Sequence, residues 1–132
     1  IIASYHGIPK SYFDKGDPYQ CYCQKTTRLI TERFTDIKIK TTFQSRFGPR
    51  EWLKPYTDKT FESLPKQGFK NILVICPGFA SDCVETLEEI NIQGKESFLK
   101  NGGKNFDFIP CLNDSPSHIQ LFEELVNKYL IK

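Results

Sequence analysis

Two short stretches of the chain carry side chains whose types and spacing suit chemistry. In the first, His6 follows the apolar residues Ile1–Ala3. In the second, Asp82, Glu85 and Glu89 are spaced three and four residues apart, as side chains on one helical face are. A histidine exchanges protons near neutral pH, and carboxylates accept protons or bind divalent cations. The two stretches together predict proton transfer, metal handling, or both.

Each stretch also has a purely structural interpretation. His6 suits a strand end where its ring hydrogen-bonds a backbone carbonyl, and Asp82 with Glu85 suits a capping box that begins a helix. Glu89 would then be an ordinary solvated residue. If the three carboxylates instead crowd one crevice, their repulsion should raise the pKa of some of them towards neutrality.

Composition places the chain among single globular domains. It has 132 residues, 39% hydrophobic content and a net charge of +2, which is too small to indicate nucleic-acid binding. No apolar run approaches the roughly 18 residues that a transmembrane helix requires. The chain has no Met and begins within an apolar, strand-like run, so we expect a domain of a longer protein.

The five cysteines indicate a reducing compartment, because an odd number at scattered positions does not fit a disulfide framework. We therefore expect a cytoplasmic protein. Cys76 and Cys111 lie in apolar runs that predict buried thiols. Cys21 and Cys23 lie on opposite sides of a predicted helix, so they cannot bind one metal together.

Hydrophobic patterning predicts an α/β fold, a four-stranded parallel sheet with helices on both faces in a Rossmann-like three-layer sandwich. After the first strand, ending near His6, the predicted strands are 38–45, 71–76 and 106–112. The predicted helices are 18–34, 57–67, 83–99 and 116–129, and 10–16 and 46–56 are predicted loops. The last helix should turn an apolar face inward, formed by Ile119, Phe122, Leu125, Val126 and Tyr129.

The predicted topology places the two chemical stretches at one edge. Asn71–Cys76 is apolar throughout, which is typical of a central parallel strand, and the carboxylates follow it. The carboxyl ends of parallel strands share one edge, where open α/β sheets bind ligands. No glycine-rich phosphate-binding motif follows any predicted strand, so a nucleotide site is not expected.

The chain also resembles the carboxyl-terminal half of ferrochelatase, the enzyme that inserts ferrous iron into protoporphyrin to complete haem. The later motifs resemble the Gram-negative bacterial branch, and together the motifs span almost the whole chain. In chain order they are Ser4-Tyr5-His6-Gly7-Ile8-Pro9, Gly16-Asp17-Pro18-Tyr19, Gln44-Ser45-Arg46-Phe47-Gly48-Pro49, Trp52-Leu53-Lys54-Pro55 with Thr57-Asp58, Pro77-Gly78-Phe79-Ala80-Ser81-Asp82, Val84-Glu85-Thr86-Leu87 and Leu112-Asn113-Asp114-Ser115-Pro116.

The resemblance implies roles for the chemical residues. His6 falls on the family's invariant histidine and Glu85 on its essential glutamate, which makes these two the expected catalytic and metal-binding residues. Asp82 and Glu89 fall on an acidic path for protons or metal. Cys83 departs from the pattern, since several relatives have a second histidine there.

The resemblance also implies a chelatase-like fold and a larger enzyme. Residues 1–132 would be one α/β domain, and the missing amino-terminal half would supply the other wall of a porphyrin cleft. Tyr5, Ile8, Phe13 and Trp52 would line this wall, although Tyr5 and Trp52 equally suit core positions. The substrates would be protoporphyrin IX and Fe²⁺, with no organic cofactor and no iron–sulfur cluster. The full enzyme would associate peripherally with membranes, and the chain alone would be inactive or weakly active.

Other functions remain open on the sequence. One is a chelatase for another metal or porphyrin, such as coproporphyrin or, in the cobalt and nickel enzymes, sirohydrochlorin. Those enzymes use several histidines, whereas His118 in the last predicted helix is this chain's only other one. Another is a tetrapyrrole or metal carrier without catalysis, which would not need the three carboxylates. An isolated structural fragment without activity is the third.

Overall fold

A computed structural model describes residues 1–34 and 36–130. The strands are β1 (Ile2–His6), β2 (Lys40–Gln44), β3 (Asn71–Ile75) and β4 (Asn105–Phe108). The α-helices are α1 (Lys10–Asp14), α2 (Tyr19–Thr31), α3 (Thr57–Ser63), α4 (Lys95–Lys100) and α5 (Pro116–Leu130). A 3₁₀-helix (Leu64–Gln67) extends α3, and a π-helix (Glu85–Gly94) runs directly into α4.

The four strands form one parallel sheet in the order β2-β1-β3-β4, as the alternating pattern predicts. In the register, His6 lies opposite Gln44 and Ala3 opposite Ile75. Because β1 and β3 have neighbours on both sides, the segments that follow them open at the centre of the carboxyl edge. This places the two chemical stretches next to each other.

Helices cover both faces of the sheet. On one face, Cys23 of α2 packs with Ala3, Tyr5, Phe43 and Leu53. On the other face, α3, the π-helix and α4 contribute Phe61, Ile90 and Phe98 to a larger cluster with β1, β3 and β4. The three-layer α/β prediction is therefore confirmed.

Some local predictions differ from the structure. The predicted loop 10–16 contains the short helix α1, and the predicted strand 106–112 ends at Phe108. The predicted helix 83–99 is a π-helix followed by an α-helix, because residues Glu85–Gly94 form i→i+5 hydrogen bonds. A periodicity of apolar residues does not distinguish these two helix types.

The predicted inward face of α5 is wrong. His118 is the only buried residue that the structure describes in α5, and Ile119, Phe122, Leu125, Val126 and Tyr129 are all exposed. The sequence correctly predicts an amphipathic helix but not the surface that covers it. Within the described ranges, no helix is both long and apolar enough to cross a membrane.

Candidate functional site at the carboxyl edge

His6 lies half-buried at the carboxyl end of β1. Its Nδ1 is 2.7 Å from the carbonyl oxygen of Gly7. Since a carbonyl only accepts, Nδ1 carries the proton and Nε2 becomes the basic nitrogen of the neutral ring. The Tyr19 hydroxyl donates to the His6 carbonyl at 2.8 Å, which fixes the strand end from α2. The expected strand-end hydrogen bond is therefore present, and it orients the ring for a role as proton acceptor.

Two aromatic rings flank the His6 ring. The Trp52 centroid lies 6.5 Å away and the Phe79 centroid 6.4 Å away. Trp52 borders an open cavity of about 400 Å³ that is also lined by Ser45, Arg50 and Glu89. Phe79 borders an apolar cavity of about 280 Å³ at the ends of β3 and β4. His6 thus lies between a polar and an apolar cavity at the same edge.

Gln44 connects the segments that carry the site, although sequence reasoning assigned it no role. Its carbonyl accepts the Gly7 N–H at 2.8 Å, and a Cβ on Gly7 would lie only 3.0 Å from that same carbonyl oxygen. Its buried amide accepts from the Ser4 hydroxyl at 2.7 Å and donates to the Glu85 carbonyl at 2.7 Å. One residue therefore joins β1, β2 and the first turn of the π-helix.

Glu89 holds the end of β2 in place. Its Oε1 accepts the Ser45 N–H at 2.6 Å, and its Oε2 accepts the Ser45 hydroxyl at 2.6 Å and the Gln44 amide at 3.4 Å. Ser45 has a φ of 63°, a left-handed conformation that is unfavourable for a residue with a side chain. The carboxylate stabilises this turn, so Glu89 is not merely a solvated residue.

The pKa of Glu85 is influenced by His6. Hydrogen bonds from the Cys83 thiol and from its own backbone N–H lower the pKa of Glu85, and the charge of His6 lowers it further. The structure therefore places the two residues expected to be catalytic at the same edge, since His6 pairs with Gln44 and the Gln44 amide donates to the Glu85 carbonyl at 2.7 Å. Glu85 is ionised at neutral pH, where it would stabilise a protonated imidazole.

Asp82 joins the loop before the π-helix to the loop after β4. Its Oδ2 accepts from the Asn113 amide at 2.8 Å, and its Oδ1 accepts from the Thr86 hydroxyl at 2.9 Å and from the Cys111 N–H at 3.2 Å. Burial raises the pKa of Asp82, but these hydrogen bonds outweigh it and leave the pKa below its ordinary value.

The expected ladder of three carboxylates is divided. Asp82 is bound on the β4 side and Glu89 on the β2 side, while Glu85 lies between them in the sequence and its pKa is lowered in part by the charge of His6. The expectation of raised carboxyl pKa values is wrong for Asp82 and Glu85, because hydrogen-bond donors lower both pKa values by more than burial raises them. The capping box is also absent, since the Asp82 N–H donates to Asn113 and its carboxylate meets the Thr86 hydroxyl.

The four residues expected to line a cleft lie in different environments. Tyr5 is only 2% exposed and hydrogen-bonded to Thr27, so it is a core residue here. Trp52 is 7% exposed and donates to the Phe47 carbonyl, with one edge towards the polar cavity. Ile8 is half-buried beside the smaller core, and exposed Phe13 borders a groove along α2.

Among the described residues, no group of three His, Cys, Asp or Glu side chains is arranged to hold a metal ion. Burial raises the pKa of the Cys111 thiol to about 12 and also raises that of Cys76, so both are protonated at neutral pH. His118 donates from Nδ1 to the Asn113 carbonyl at 2.7 Å and belongs to the base of α5. Metal binding by His6 and Glu85 stays a prediction of the sequence.

The fold and the edge site define a chelatase-like α/β protein. A solved structure of a cobalamin (vitamin B12) biosynthesis CbiX protein from Marinobacter aquaeolei VT8 superposes with a TM-score of 0.58. The match covers 98% of this chain and 94% of that one at 12% sequence identity. At this identity the similarity concerns the fold alone.

Sequence comparison is more specific. The family model for ferrochelatase matches residues 1–130. The chain is 58% identical to the ferrochelatase of Rhizobium meliloti (strain 1021) over 132 residues, and 54% identical to that of Brucella ovis over 133 residues. These matches cover 98 to 99% of this chain but only 38 to 39% of the relatives' length. The chain belongs to the ferrochelatase family and corresponds to the carboxyl-terminal part of its relatives.

Proposed function

We propose that this chain forms the histidine and carboxylate wall of a ferrochelatase, which inserts Fe²⁺ into protoporphyrin IX to form protohaem. The observation that carries the proposal is that His6 and Glu85 lie at the same carboxyl edge, where Gln44 pairs with His6 in the sheet and donates to the Glu85 carbonyl at 2.7 Å. The His6 ring presents Nε2 as its basic nitrogen, and Glu85 is ionised beside it. Membership of the ferrochelatase family supports the same reaction class.

The reaction requires a base. Porphyrin and Fe²⁺ yield the metalloporphyrin and two protons, since both pyrrole N–H bonds break as the metal binds four nitrogens. His6 accepts a pyrrole proton at Nε2, and ionised Glu85 stabilises the resulting imidazolium and attracts the incoming cation. Fe²⁺ is a substrate, and the proposed reaction uses neither an organic cofactor nor an iron–sulfur cluster.

Asp82 and Glu89 have a supporting role in this proposal. Each carboxylate accepts at least three hydrogen bonds from neighbouring segments. These bonds hold the two ends of the segment that carries Glu85. We also propose that Asp82 and Glu89, held in this way, carry protons or metal to and from the site. Gln44 completes the support by binding the Glu85 carbonyl.

The surroundings of His6 suit a flat macrocycle with acidic substituents. Trp52 and Phe79 offer aromatic surface, and Arg50 in the polar cavity suits a carboxylate of the substrate. We propose that the amino-terminal part of the ferrochelatase chain supplies the opposite wall, and that the enzyme acts in the cytoplasm. On this proposal the 132-residue chain alone turns over poorly, because one wall neither buries nor bends a macrocycle.

The test uses a full-length ferrochelatase that contains this chain. His6→Ala should nearly abolish metal insertion while porphyrin affinity, measured by fluorescence titration, stays within about tenfold of normal. Glu85→Gln should lower turnover by about 100-fold without lowering the melting temperature. Glu88→Gln is the matched control, because Glu88 lies on the same π-helix but is exposed, and its carboxylate accepts a hydrogen bond from the exposed Gln93 amide.

Two outcomes contradict the proposal. Normal turnover in both His6→Ala and Glu85→Gln would remove these residues from the mechanism. Tight porphyrin binding by the wild-type enzyme without metal insertion would favour a carrier. Running protoporphyrin beside coproporphyrin, each with Fe²⁺ and Zn²⁺, identifies the preferred substrates.

A further inference from the structure

α5 presents an apolar surface that no other described segment covers. Ile119, Phe122, Leu125 and Val126 lie three or four residues apart on one side of the helix, and each is 41 to 54% exposed. In the part of the chain that the structure describes, His118 is the one residue of α5 that is buried. An amphipathic helix of this kind normally packs its apolar side against another element.

The direction of α5 is set by hydrogen bonds at its base. The Asp82 N–H donates to the Asn113 side chain at 2.8 Å, and the Asn113 amide donates back to the Asp82 carboxylate at 2.8 Å. The His118 ring then bonds the Asn113 carbonyl at 2.7 Å. These bonds hold the start of the helix to the site loops, so its position away from the sheet is a feature of the fold.

The surface that α5 could have covered is also open. On the sheet face that carries α2, Ile30, Ile75, Ile109 and Leu112 border the apolar cavity of about 280 Å³. In an α/β sandwich, the helix that follows an edge strand usually covers such a surface. Here α5 leaves both its own apolar side and this cavity without a partner among the described residues.

We propose that the apolar side of α5 packs against the amino-terminal part of the ferrochelatase chain, so that the last helix of this domain completes the core of its neighbour. The relatives support this occupant, because more than half of their length lies outside the matched region. A partner in the same chain competes at an effective concentration in the millimolar range, which favours it over a second copy.

A membrane is a weaker occupant for this surface. Helices that lie on anionic membranes are rich in Lys and Arg on their polar side. The polar side of α5 instead carries Glu123 and Glu124 against the single cation Lys128. Its charge therefore gives no attraction to anionic lipid.

The experiment measures hydrogen exchange and molar mass in a full-length ferrochelatase that contains this chain. Val126→Asp introduces a charge into the apolar side, and Asn127→Asp introduces the same charge next to it on the polar side. We expect Val126→Asp to speed exchange roughly tenfold or more in α5 and in a segment of the amino-terminal part. Amides of β1 and β3 should keep their protection, and Asn127→Asp should resemble the parent.

The other possible occupants give distinct results. Faster exchange in residues 105–112 instead of the amino-terminal part would mean that α5 folds onto its own sheet, which overturns the proposal. A dimer that Val126→Asp converts to monomers would assign the surface to a second copy and also overturn it. Unchanged α5 exchange would show that nothing covers the helix. If Val126→Asp prevents folding, Leu125→Ala provides the same comparison with a milder change, and catalytic activity is not part of the readout.

Discussion

The carboxyl edge and α5 are held in place by different kinds of interaction. At the edge, buried or half-buried polar groups find their partners within the chain, as Gln44 does with Ser4 and Glu85. Along α5, apolar side chains such as Leu125 and Val126 remain exposed in the described part of the chain. The edge therefore has its geometry without further protein, whereas on our proposal α5 packs against the amino-terminal part of the ferrochelatase chain.

This difference has an energetic consequence. A buried polar group that loses its partner costs about 1 to 3 kcal/mol, since it has already left water. Shortening an exposed apolar side chain changes the unfolding free energy little, because that side chain is already in contact with water in the folded state. Substitutions in the isolated chain should therefore be costly at the edge and nearly neutral in α5.

The largest effect should come from Gln44→Leu. The substitution removes the amide that donates to the Glu85 carbonyl and accepts from the Ser4 hydroxyl. We therefore expect a loss of about 3 kcal/mol in unfolding free energy. Chemical denaturation of the 132-residue chain measures it. Gln120→Leu on exposed α5 is the control and should change stability by less than about 0.5 kcal/mol. Equal losses in the two variants would remove the contrast between the regions.

Asp82→Asn should have the next largest effect. An amide at position 82 turns one donor towards the Asn113 amide and weakens the bonds from Thr86 and Cys111, for an expected loss of about 1 to 2 kcal/mol. Thermal unfolding gives the stability, and hydrogen exchange reports whether the start of α5 loosens. Asp114→Asn, in the same loop but exposed, is the control. An unchanged melting temperature would mean that Asp82 does not hold the two loops.

Acid should destabilise the edge through Asp82. Its pKa lies below the ordinary value in the folded state, so ionised Asp82 contributes stability above the unfolded pKa of about 4, and this is lost as the pH falls through the folded pKa. Unfolding free energy measured between pH 6 and pH 2 should fall less steeply in Asp82→Asn than in the parent. Parallel curves for the two proteins would contradict this assignment.

The smallest effect should come from Leu125→Ala. Because Leu125 is exposed, we expect a loss below about 0.5 kcal/mol in the isolated chain. Ile90→Ala is a matched deletion in the buried core and should cost about 2 to 5 kcal/mol. A loss above about 2 kcal/mol for Leu125→Ala would mean that α5 packs on its own domain in solution.

Much of the site could be predicted, because its main residues belong to local patterns. His6 ends an apolar strand and Glu85 follows the central one, so parallel topology is enough to bring them to one edge. Gln44 and Tyr19 lie in motifs that resemble the family, but no local pattern indicates what they contact. Gln44 donates to the Glu85 carbonyl and Tyr19 to the His6 carbonyl. These hydrogen bonds join segments that are distant in the sequence, so residue spacing does not predict them.

The sequence by itself determined the order of strands and helices, the parallel sheet and the edge that carries His6, because hydrophobic periodicity and chain connectivity are local properties. The tertiary structure alone decided how the three carboxylates are held. The pKa of Glu85 is lowered in part by the charge of His6, whereas Asp82 and Glu89 are bound by Asn113 and Ser45. It also decided that α5 leaves its own sheet. The apolar side of a helix favours burial against another surface, but it does not determine which surface, because the hydrophobic effect is non-directional.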